Sequence, residues 1–389
     1  MKICFVTTNF PRHLGDSEVP FILDMVQAVS RHGHQVRVIA QHWPGVPTRE
    51  WMVGIEVVRP RYWWPESWEI LRRPGGGLPI VWKKSWLARL QMIPFIIVHT
   101  LAVARHARDC DVIHAQWTLS AGAAWLSRVV HGRPILATLQ GSDVFQVTRS
   151  RIGAWLTRLV LRRCDRISVL SQALARSTAA IGIPVGEIQI IPNGVDLEKF
   201  APPTDAREPL IVYVGSLIKR KGVVYLLEAM AQVLQVHPHF RLAIVGDGVE
   251  RLALEKIAAD LNIENRVTFA GQLPPQQVRE WMRRARVFVL PSVEEGLGVV
   301  LLEALACGTP IVASRVGGIC DVVTPEVGVL VPPANSDRLA EGIDHLLGDE
   351  ETWAKMSGSA RQRAEEHYCW DRITDQYTSI YESLVTNRG

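Results

Sequence analysis

Short apolar runs alternate with helical patterns through the first half of the chain. The runs are nearly continuous in apolar residues, which is typical of strands that are buried on both faces. Strands that alternate with helices predict a parallel α/β sheet. The predicted elements are strands at 3–7, 36–40, 112–114, 135–139 and 166–170 and a helix at 21–31 that Gly33 closes.

The pattern stops near Ile191 and then restarts. The segment PNGVDLEKFAPPTDAREP (192–209) is rich in Pro, Asn, Gly and Asp, so we predict a loop followed by an interdomain linker. A chain of 389 residues is long enough for two domains. We therefore predict two Rossmann-like domains in tandem, residues 1–200 and 205–369. The second sheet is predicted from strands at 210–214, 242–245, 267–270, 287–290, 311–313 and 329–331.

A tryptophan-rich segment departs from this alternation. Seven of the 13 tryptophans lie between Trp43 and Trp86, where no clear periodicity is present. The sequence that follows, from Lys83 to Arg108, suits either a basic amphipathic helix at a membrane surface or a core helix after an irregular insertion. Its apolar stretch Met92–Ala104 is predicted to be too short to cross a bilayer. The N-terminal MKICFVTTNF predicts a first strand rather than a secretory signal.

Composition limits the classes of function. The chain is 48% apolar and 21% charged, which are ordinary globular values. A net charge of +4 suits an anionic ligand or an anionic membrane surface and is too small for nucleic-acid binding. The six cysteines form no CxxC pair and no cluster with zinc-ligand spacing. We predict buried thiols in a reducing, cytoplasmic compartment, and no metal site.

The most informative stretch is PSVEEGLGVVLLEALACGTPIVAS (291–314), in which Glu295 and Glu303 stand eight residues apart. A strand leads into a glycine-containing loop, a helix predicted at 298–306, and then Gly308 as the residue that ends it. Amides at the start of this helix favour anions, and a carboxylate inside it can accept two vicinal hydroxyls. The alternative is a capping Glu295 and a surface Glu303. We predict a sugar-diphosphate site that includes the amides of Gly296, Leu297 and Gly298.

Two further glycine-containing loops follow strands of the second domain. VGSLIKRKG (214–222) places Gly215 and Ser216 at a strand end and then Lys219, Arg220 and Lys221. Cations at the carboxyl end of a parallel strand can neutralise a leaving diphosphate, although charge runs are usually solvated loops. The turn VGDGVE, which contains Gly246, is a weaker signal of the same kind.

The first domain offers acceptor-side candidates. His114 and the segment TLQGSDVF, with Gln140 and Asp143, each lie at the end of a predicted strand. The polar loop NFPRHLGDSEVPF, with Gly15, precedes the first helix. We predict that these residues face an interdomain cleft. His114 alternatively is a hydrogen-bonded core histidine.

At this point the chain resembles the family-4 retaining glycosyltransferases of the GT-B fold. The resemblance rests on VGSLIKRKG, IPNGVD, VTFAG and above all the E-x7-E segment, and more loosely on GHQVRVIA and TLQGSDVF. It implies two Rossmann-like domains that face each other across a cleft. It also implies that the last helix, about 370–389, completes the first domain.

The resemblance also implies roles for individual residues. Glu295 would contact the transferred sugar, Glu303 the ribose, and Lys221 the diphosphate, with no metal or cofactor. Two positions depart from the family pattern. Ser216 stands where many members have arginine, which Arg220 would replace, and Gln140 stands where many have histidine.

The expected activity is transfer of a hexose-type sugar from a UDP- or GDP-sugar to a glycan or lipid-linked acceptor, with retention. The pathway would be cell-surface polysaccharide or glycolipid synthesis, and peripheral contact with the cytoplasmic membrane face is left open. Two alternatives also remain. One is a non-catalytic nucleotide-sugar-binding partner of a polysaccharide-assembly complex, and the other is a sugar-nucleotide epimerase.

Overall fold

The computed structural model describes residues 1–16, 19–71, 85–145 and 147–386. The chain divides into two compact units. One unit comprises Met1–Pro192 together with Asp371–Gly389, and the other comprises Asn193–Trp370. The glycine run at 75–77 and Lys83 of the predicted amphipathic helix lie outside the described residues.

The first unit contains an eight-stranded sheet in the order β3-β4-β2-β1-β5-β6-β7-β8. All neighbouring strands are parallel except β3 and β4. Its strands are β1 (Lys2–Thr7), β2 (Gln35–Ala40), β3 (Arg49–Met52), β4 (Ile55–Val58), β5 (Val112–Gln116), β6 (Ile135–Leu139), β7 (Arg166–Val169) and β8 (Ile188–Ile190). Its helices are α1 (Pro20–Arg31), α2 (Trp86–His106), α3 (Trp117–Leu126), α4 (Arg128–His131), α5 (Ser142–Phe145), α6 (Arg151–Leu161) and α7 (Gln172–Ala180).

The second unit contains a six-stranded, fully parallel sheet in the order β11-β10-β9-β12-β13-β14. Its strands are β9 (Leu210–Val214), β10 (Arg241–Val245), β11 (Val267–Gly271), β12 (Val287–Leu290), β13 (Ile311–Ser314) and β14 (Gly328–Val331). Its helices are α8 (Val223–Val236), α9 (Arg251–Asp260), α10 (Pro275–Arg284), α11 (Val299–Ala306), α12 (Ile319–Val322), α13 (Ser336–Gly348) and α14 (Glu350–Arg363). The last helix of the chain is α15 (Trp370–Thr386).

These two sheets confirm the predicted class of tandem parallel α/β domains. Strands β5, β6, β9 and β12 are buried along their whole length, as their continuous apolar runs predict. The antiparallel pair of β3 and β4 was not predicted, because it lies in the tryptophan-rich segment whose sequence shows no strand periodicity. This pair makes the first sheet mixed at one edge.

The segment predicted as a loop and interdomain linker follows the boundary between the two units and is packed against the second unit. The Arg207 guanidinium donates to the carbonyl oxygens of Arg283, Ala285, Cys307 and Gly308. Burial lowers the pKa of Arg207 to about 10. These carbonyls lie at the ends of α10 and α11, where no intrahelical donor is available. The segment therefore stabilises the second unit by capping two of its helices.

Helix α15 packs on the first unit. His34 Nε2 lies 3.1 Å from Thr378 Oγ1, and His114 Nδ1 lies 2.7 Å from the Tyr381 hydroxyl. Tyr377 and Tyr381 are fully buried. The C-terminal helix therefore belongs to the core of the unit that begins the chain.

Helix α2 is longer than its apolar stretch suggested. It has 21 residues, and its most apolar 18-residue window has a mean hydropathy of 1.7. The prediction that this stretch is too short to cross a bilayer is wrong on length, because the helix extends at both ends beyond Met92–Ala104. Within the described residues it is the one helix that passes this test of length and composition. One third of that window is buried inside the protein.

All six cysteines are free. Cys4, Cys110 and Cys307 are buried, as predicted, whereas Cys320 is exposed.

Candidate functional site

The second unit brings together the two charged motifs that the sequence separates by 74 residues. Lys221 ends a short 3₁₀ helix (Lys219–Lys221) after β9, and Glu295 lies in the loop between β12 and α11. Strands β9 and β12 are parallel neighbours, so their carboxyl ends open at the same edge of the sheet. Lys221 Nζ donates a hydrogen bond to Glu295 Oε2. The two side chains are 14% and 11% exposed, so the ion pair is largely shielded from water.

Glu295 is held as a carboxylate. Burial by itself would raise its pKa, but Lys221, the nearby Arg220 and the Gly296 amide together keep the pKa below the usual value for glutamate. The Ser292 hydroxyl also donates to Glu295 Oε2 at 3.4 Å. The backbone joins the two loops as well, since the Val293 amide donates to the Arg220 carbonyl at 2.8 Å. The site therefore carries a fixed negative charge next to a fixed positive one.

The glycine turn ahead of α11 differs in one respect from the prediction. The Gly296 amide donates to the Glu295 carboxylate at 3.2 Å, so the expectation that it is a free donor is wrong. The amides of Leu297 and Gly298 make no hydrogen bond within the part of the chain that the structure describes. Gly298 precedes the helix with φ 82°, and Glu303 lies half-buried in the fifth position of α11. Two amides at this helix N-terminus can therefore meet an anion.

The ends of β9 and β10 approach each other closely. A Cβ on Gly246 would lie 2.0 Å from the Gly215 carbonyl oxygen, so only glycine fits at this position. The Gly215 amide donates to the Val245 carbonyl at 2.9 Å. Ser216 follows and is exposed. The loop that carries Lys221 is thus tied directly to the neighbouring strand.

Sequence reasoning missed the part of the site that follows β13. The Gly318 amide donates to the Glu295 carbonyl at 3.2 Å, and Gly317 has φ 51°. A Cβ on Gly317 would lie 1.9 Å from that same carbonyl oxygen. The signal in the sequence is the pair of glycines that begins three residues after the end of the buried strand β13, which marks a close backbone approach.

In the first unit, His114 is a core residue rather than an acceptor contact, so its predicted placement in a cleft is wrong. It is fully buried, with Nδ1 on the Tyr381 hydroxyl and Nε2 2.7 Å from Thr138 Oγ1. Phe5 and Tyr377 pack against its ring. The alternative of a hydrogen-bonded core histidine is the one that the structure supports.

Asp143 joins two strand ends. It accepts hydrogen bonds from the amides of Thr118, Gln140 and Gly141 at 3.0 to 3.2 Å. Burial raises the pKa of Asp143 to about 6, although these amides oppose the shift. Gln140 is half-buried and donates through Nε2 to Gln116 Oε1 at 2.6 Å. Asp143 therefore fixes the backbone of Gln140 at the end of β6.

Gly15 lies in an exposed turn with φ 82°. Neighbouring residues stabilise this turn. The Arg12 guanidinium donates to both carboxylate oxygens of Asp16 and lies over the Trp43 ring. No contact in the described part of the chain assigns Gly15 a role beyond this turn.

Acidification is expected to destabilise the wild type more steeply than the variant His114→Gln. Burial lowers the pKa of His114 to about 3 in the folded protein, whereas an unfolded histidine has a pKa of about 6.5. The contribution of neutral, buried His114 to the free energy of unfolding is thus complete above about pH 6.5. It is lost as the pH falls toward 3, at about 1.4 kcal/mol per pH unit. Urea unfolding from about pH 7 to about pH 4 measures this slope. Equal slopes for both proteins would contradict the assignment.

Among the described residues, no group of three or more His, Cys, Asp or Glu side chains is arranged to hold a metal ion. Metal independence stays a prediction that the structure does not test.

Comparisons with known proteins agree on one family. The family described as Glycosyltransferase Family 4 matches residues 20–199, and the family described as Glycosyl transferases group 1 matches residues 195–363. A D-inositol 3-phosphate glycosyltransferase from Corynebacterium urealyticum is 30% identical over 315 residues, covering 72% of this chain and 73% of its own. An uncharacterised glycosyltransferase from Methanocaldococcus jannaschii is 27% identical over the full length of both chains.

Solved structures show the same architecture. A sucrose-phosphate synthase from Thermosynechococcus elongatus superposes over the whole of both chains with a TM-score of 0.84 and 25% identity. The Anabaena protein HepE, solved with UDP, superposes over 98% of this chain and 100% of its own with a TM-score of 0.76 at 20% identity. The profile matches, the relatives and the two parallel-sheet units together show that this chain is a family-4 glycosyltransferase of the GT-B fold.

Proposed function

We propose that this glycosyltransferase moves a hexose-type sugar from a UDP- or GDP-sugar to a glycan or lipid-linked acceptor, with retention of configuration and without a metal. Cell-surface polysaccharide or glycolipid synthesis is the pathway that suits such an acceptor. The observation that carries the proposal is the shielded Lys221–Glu295 ion pair beside the glycine turn that opens α11.

The ion pair suits a diphosphate that arrives and leaves. Without donor, Glu295 balances the charge of Lys221 in a site from which water is largely excluded. A bound diphosphate would share the Lys221 ammonium, and the amides of Leu297 and Gly298 would supply two more donors. Glu303, one turn further along α11, would accept the hydroxyls of the ribose.

The proposed reaction is a front-face displacement. The acceptor oxygen forms a bond to C1 of the sugar while the bond from C1 to the diphosphate oxygen breaks on the same face. The acceptor proton passes to the departing diphosphate, whose charge Lys221 and Arg220 neutralise. Glu295 orients the sugar and stabilises positive charge at C1. Positioning and fixed charges supply the rate enhancement, as in other group transfers between bound partners.

Relatives support both classes of donor base. A mannosyltransferase from Corynebacterium glutamicum, 32% identical over 56% of this chain, is GDP-mannose-dependent, and HepE has been solved with UDP-glucose. The named relatives are glycosyltransferases, which favours transfer over epimerisation. An epimerase would convert the donor alone, so incubation without acceptor followed by analysis of the nucleotide sugar separates the two activities.

Thermal unfolding against a panel of nucleotide diphosphates and nucleotide sugars, first without metal and then with magnesium, tests the donor site. A ligand at about 100 times its dissociation constant adds roughly 2.7 kcal/mol of stability, which raises Tm visibly. We expect one base to give a shift that magnesium leaves unchanged. A shift that requires magnesium would contradict metal independence. No shift with any nucleotide would favour a non-catalytic role. Ser216→Arg and Gln140→His, which introduce the residues that many family members have, would then be the first variants to test.

A further inference from the structure

Helix α2 presents a continuous apolar stripe to solvent. Its exposed large apolar side chains recur at spacings of three and four residues, which places them on one face of the helix. Their exposed fractions range from 48% for Leu90 to 74% for Trp86. A single exposed apolar residue needs no explanation, but a stripe that follows a whole helix of 21 residues does. The stripe consists of Trp86, Leu90, Ile93, Ile97 and Leu101.

The neighbouring helices extend this surface. Helix α2 packs against α3 and α4, and α6 also packs against α3, where Gly122 lies close to Val160. Helix α6 exposes three apolar side chains within five residues, and three more are exposed where α3 ends and α4 begins. The added residues are Leu126, Val129, Val130, Ile152, Trp155 and Leu156. We refer to these residues and the α2 stripe together as the helical face.

The helices of the helical face carry no acidic residue, and the aspartates next in the sequence are Asp109 and Asp165, of which Asp165 pairs with Arg128. Residues 85–108, 117–134 and 147–164, which contain its helices, hold ten arginines and no aspartate or glutamate. The rest of the chain holds the other 33 Lys and Arg residues and all 39 Asp and Glu residues, so its formal charge is −6. An exposed apolar surface that includes Trp86 and Trp155, on helices whose only ionised side chains near neutral pH are arginines, matches the interface of an anionic bilayer, where phosphates meet acyl chains. A hydrophobic protein interface would not require this separation of charge.

The opposite side of α2 fixes the helix to the protein. Gln91 is fully buried, donates to the Trp68 carbonyl and accepts from the Ile70 amide. Phe95 packs edge-on against Tyr62 and stacks on the buried His99. Removing this side from the core would leave buried polar groups without partners. This side therefore holds helix α2 on the first unit and leaves only the opposite, apolar side open to a partner.

We propose that the helical face binds the surface of an anionic lipid bilayer, with its apolar side chains inserted between headgroups and its arginines on the phosphates. This inference is independent of the donor site, because all of its residues lie in the first unit. Binding requires no nucleotide sugar and no acceptor.

Co-sedimentation with vesicles of phosphatidylcholine alone and of phosphatidylcholine mixed with phosphatidylglycerol tests the proposal on the full chain. We expect binding to the mixed vesicles that weakens as salt is raised, and at least about tenfold weaker binding to the neutral ones. The variants Ile93→Asp and Ile97→Asp should each weaken binding to the mixed vesicles by about tenfold or more. The matched control Val236→Asp, at an exposed site on α8 in the second unit, should bind as the wild type does.

Circular dichroism and Tm establish that each variant is folded. Trp155→Asp on α6 provides an independent variant if α2 does not tolerate a charge. Equal binding to neutral and mixed vesicles, or equal binding by the stripe variants and the control, would overturn the proposal. Sedimentation velocity without lipid provides a further test. A dimer that Ile97→Asp dissociates would assign the face to a second copy of the chain instead.

Discussion

The variant Lys221→Met is expected to lower kcat/KM by about 10²–10³, the usual effect of removing one group that stabilises charge in a transition state. Methionine keeps the length of the side chain but cannot neutralise the departing diphosphate. The same change leaves Glu295 as a buried carboxylate without its principal partner, so its pKa should rise toward that of a desolvated acid. Initial rates at varied donor concentration measure the effect.

The matched control is Lys219→Met, two residues away on the same short 3₁₀ helix but exposed to solvent. Its kcat/KM should stay close to that of the wild type. Wild-type turnover by Lys221→Met would show that the ion pair has no part in catalysis.

The double variant Lys221→Met with Glu295→Gln separates stability from activity. Breaking a buried ion pair by removing one partner is more costly than replacing both partners. We expect the Tm of the double variant to recover at least in part relative to Lys221→Met. Its kcat/KM should stay as low as that of the less active of the two single variants. Recovery of activity together with Tm would indicate that the pair is only structural.

The variant Gly317→Ala is expected to destabilise the protein by roughly 3 kcal/mol and to reduce kcat by about 10²-fold. The added Cβ would lie 1.9 Å from the Glu295 carbonyl oxygen, and the backbone at φ 51° disfavours alanine. The loop that carries Glu295 must move to relieve the overlap, and a displacement of about 1 Å in an active site costs activity on this scale. Urea unfolding and initial rates measure the two effects.

Gly358→Ala is the matched control for this change. Gly358 lies in α14, is exposed and has open space around the position of a Cβ. Alanine there should stabilise the helix by up to about 1 kcal/mol and leave kcat unchanged. If Gly317→Ala were as stable and as active as this control, the close approach of Gly317 to Glu295 would be of no consequence.

The sheets were predictable because strands buried on both faces leave a direct signature in the sequence. β5, β6, β9 and β12 are short apolar runs between turns, and each was placed to within two residues. The antiparallel pair of β3 and β4 left a weaker signature. β3 is the edge strand, and its partly exposed Arg49, Glu50 and Trp51 form no apolar run, whereas β4 is buried but has only four residues, one of which is Glu56. The packing of 192–209 against the second unit was hidden for a similar reason. Its proline and aspartate content indicates a loop, whereas the contacts of Arg207 depend on helix ends distant in the sequence.

The sequence by itself determined that this chain has two α/β domains and that Lys221, Glu295 and Glu303 are its strongest candidates for donor binding. Local patterns suffice for this, since strand, glycine turn and helix follow one another within each motif. Only the tertiary structure decided that Lys221 and Glu295 form a shielded ion pair, that Gly317 supports Glu295 from behind, and that His114 belongs to the core. These relations join residues that are distant along the chain, and the order of strands in the sheet, which no local pattern specifies, brings them together.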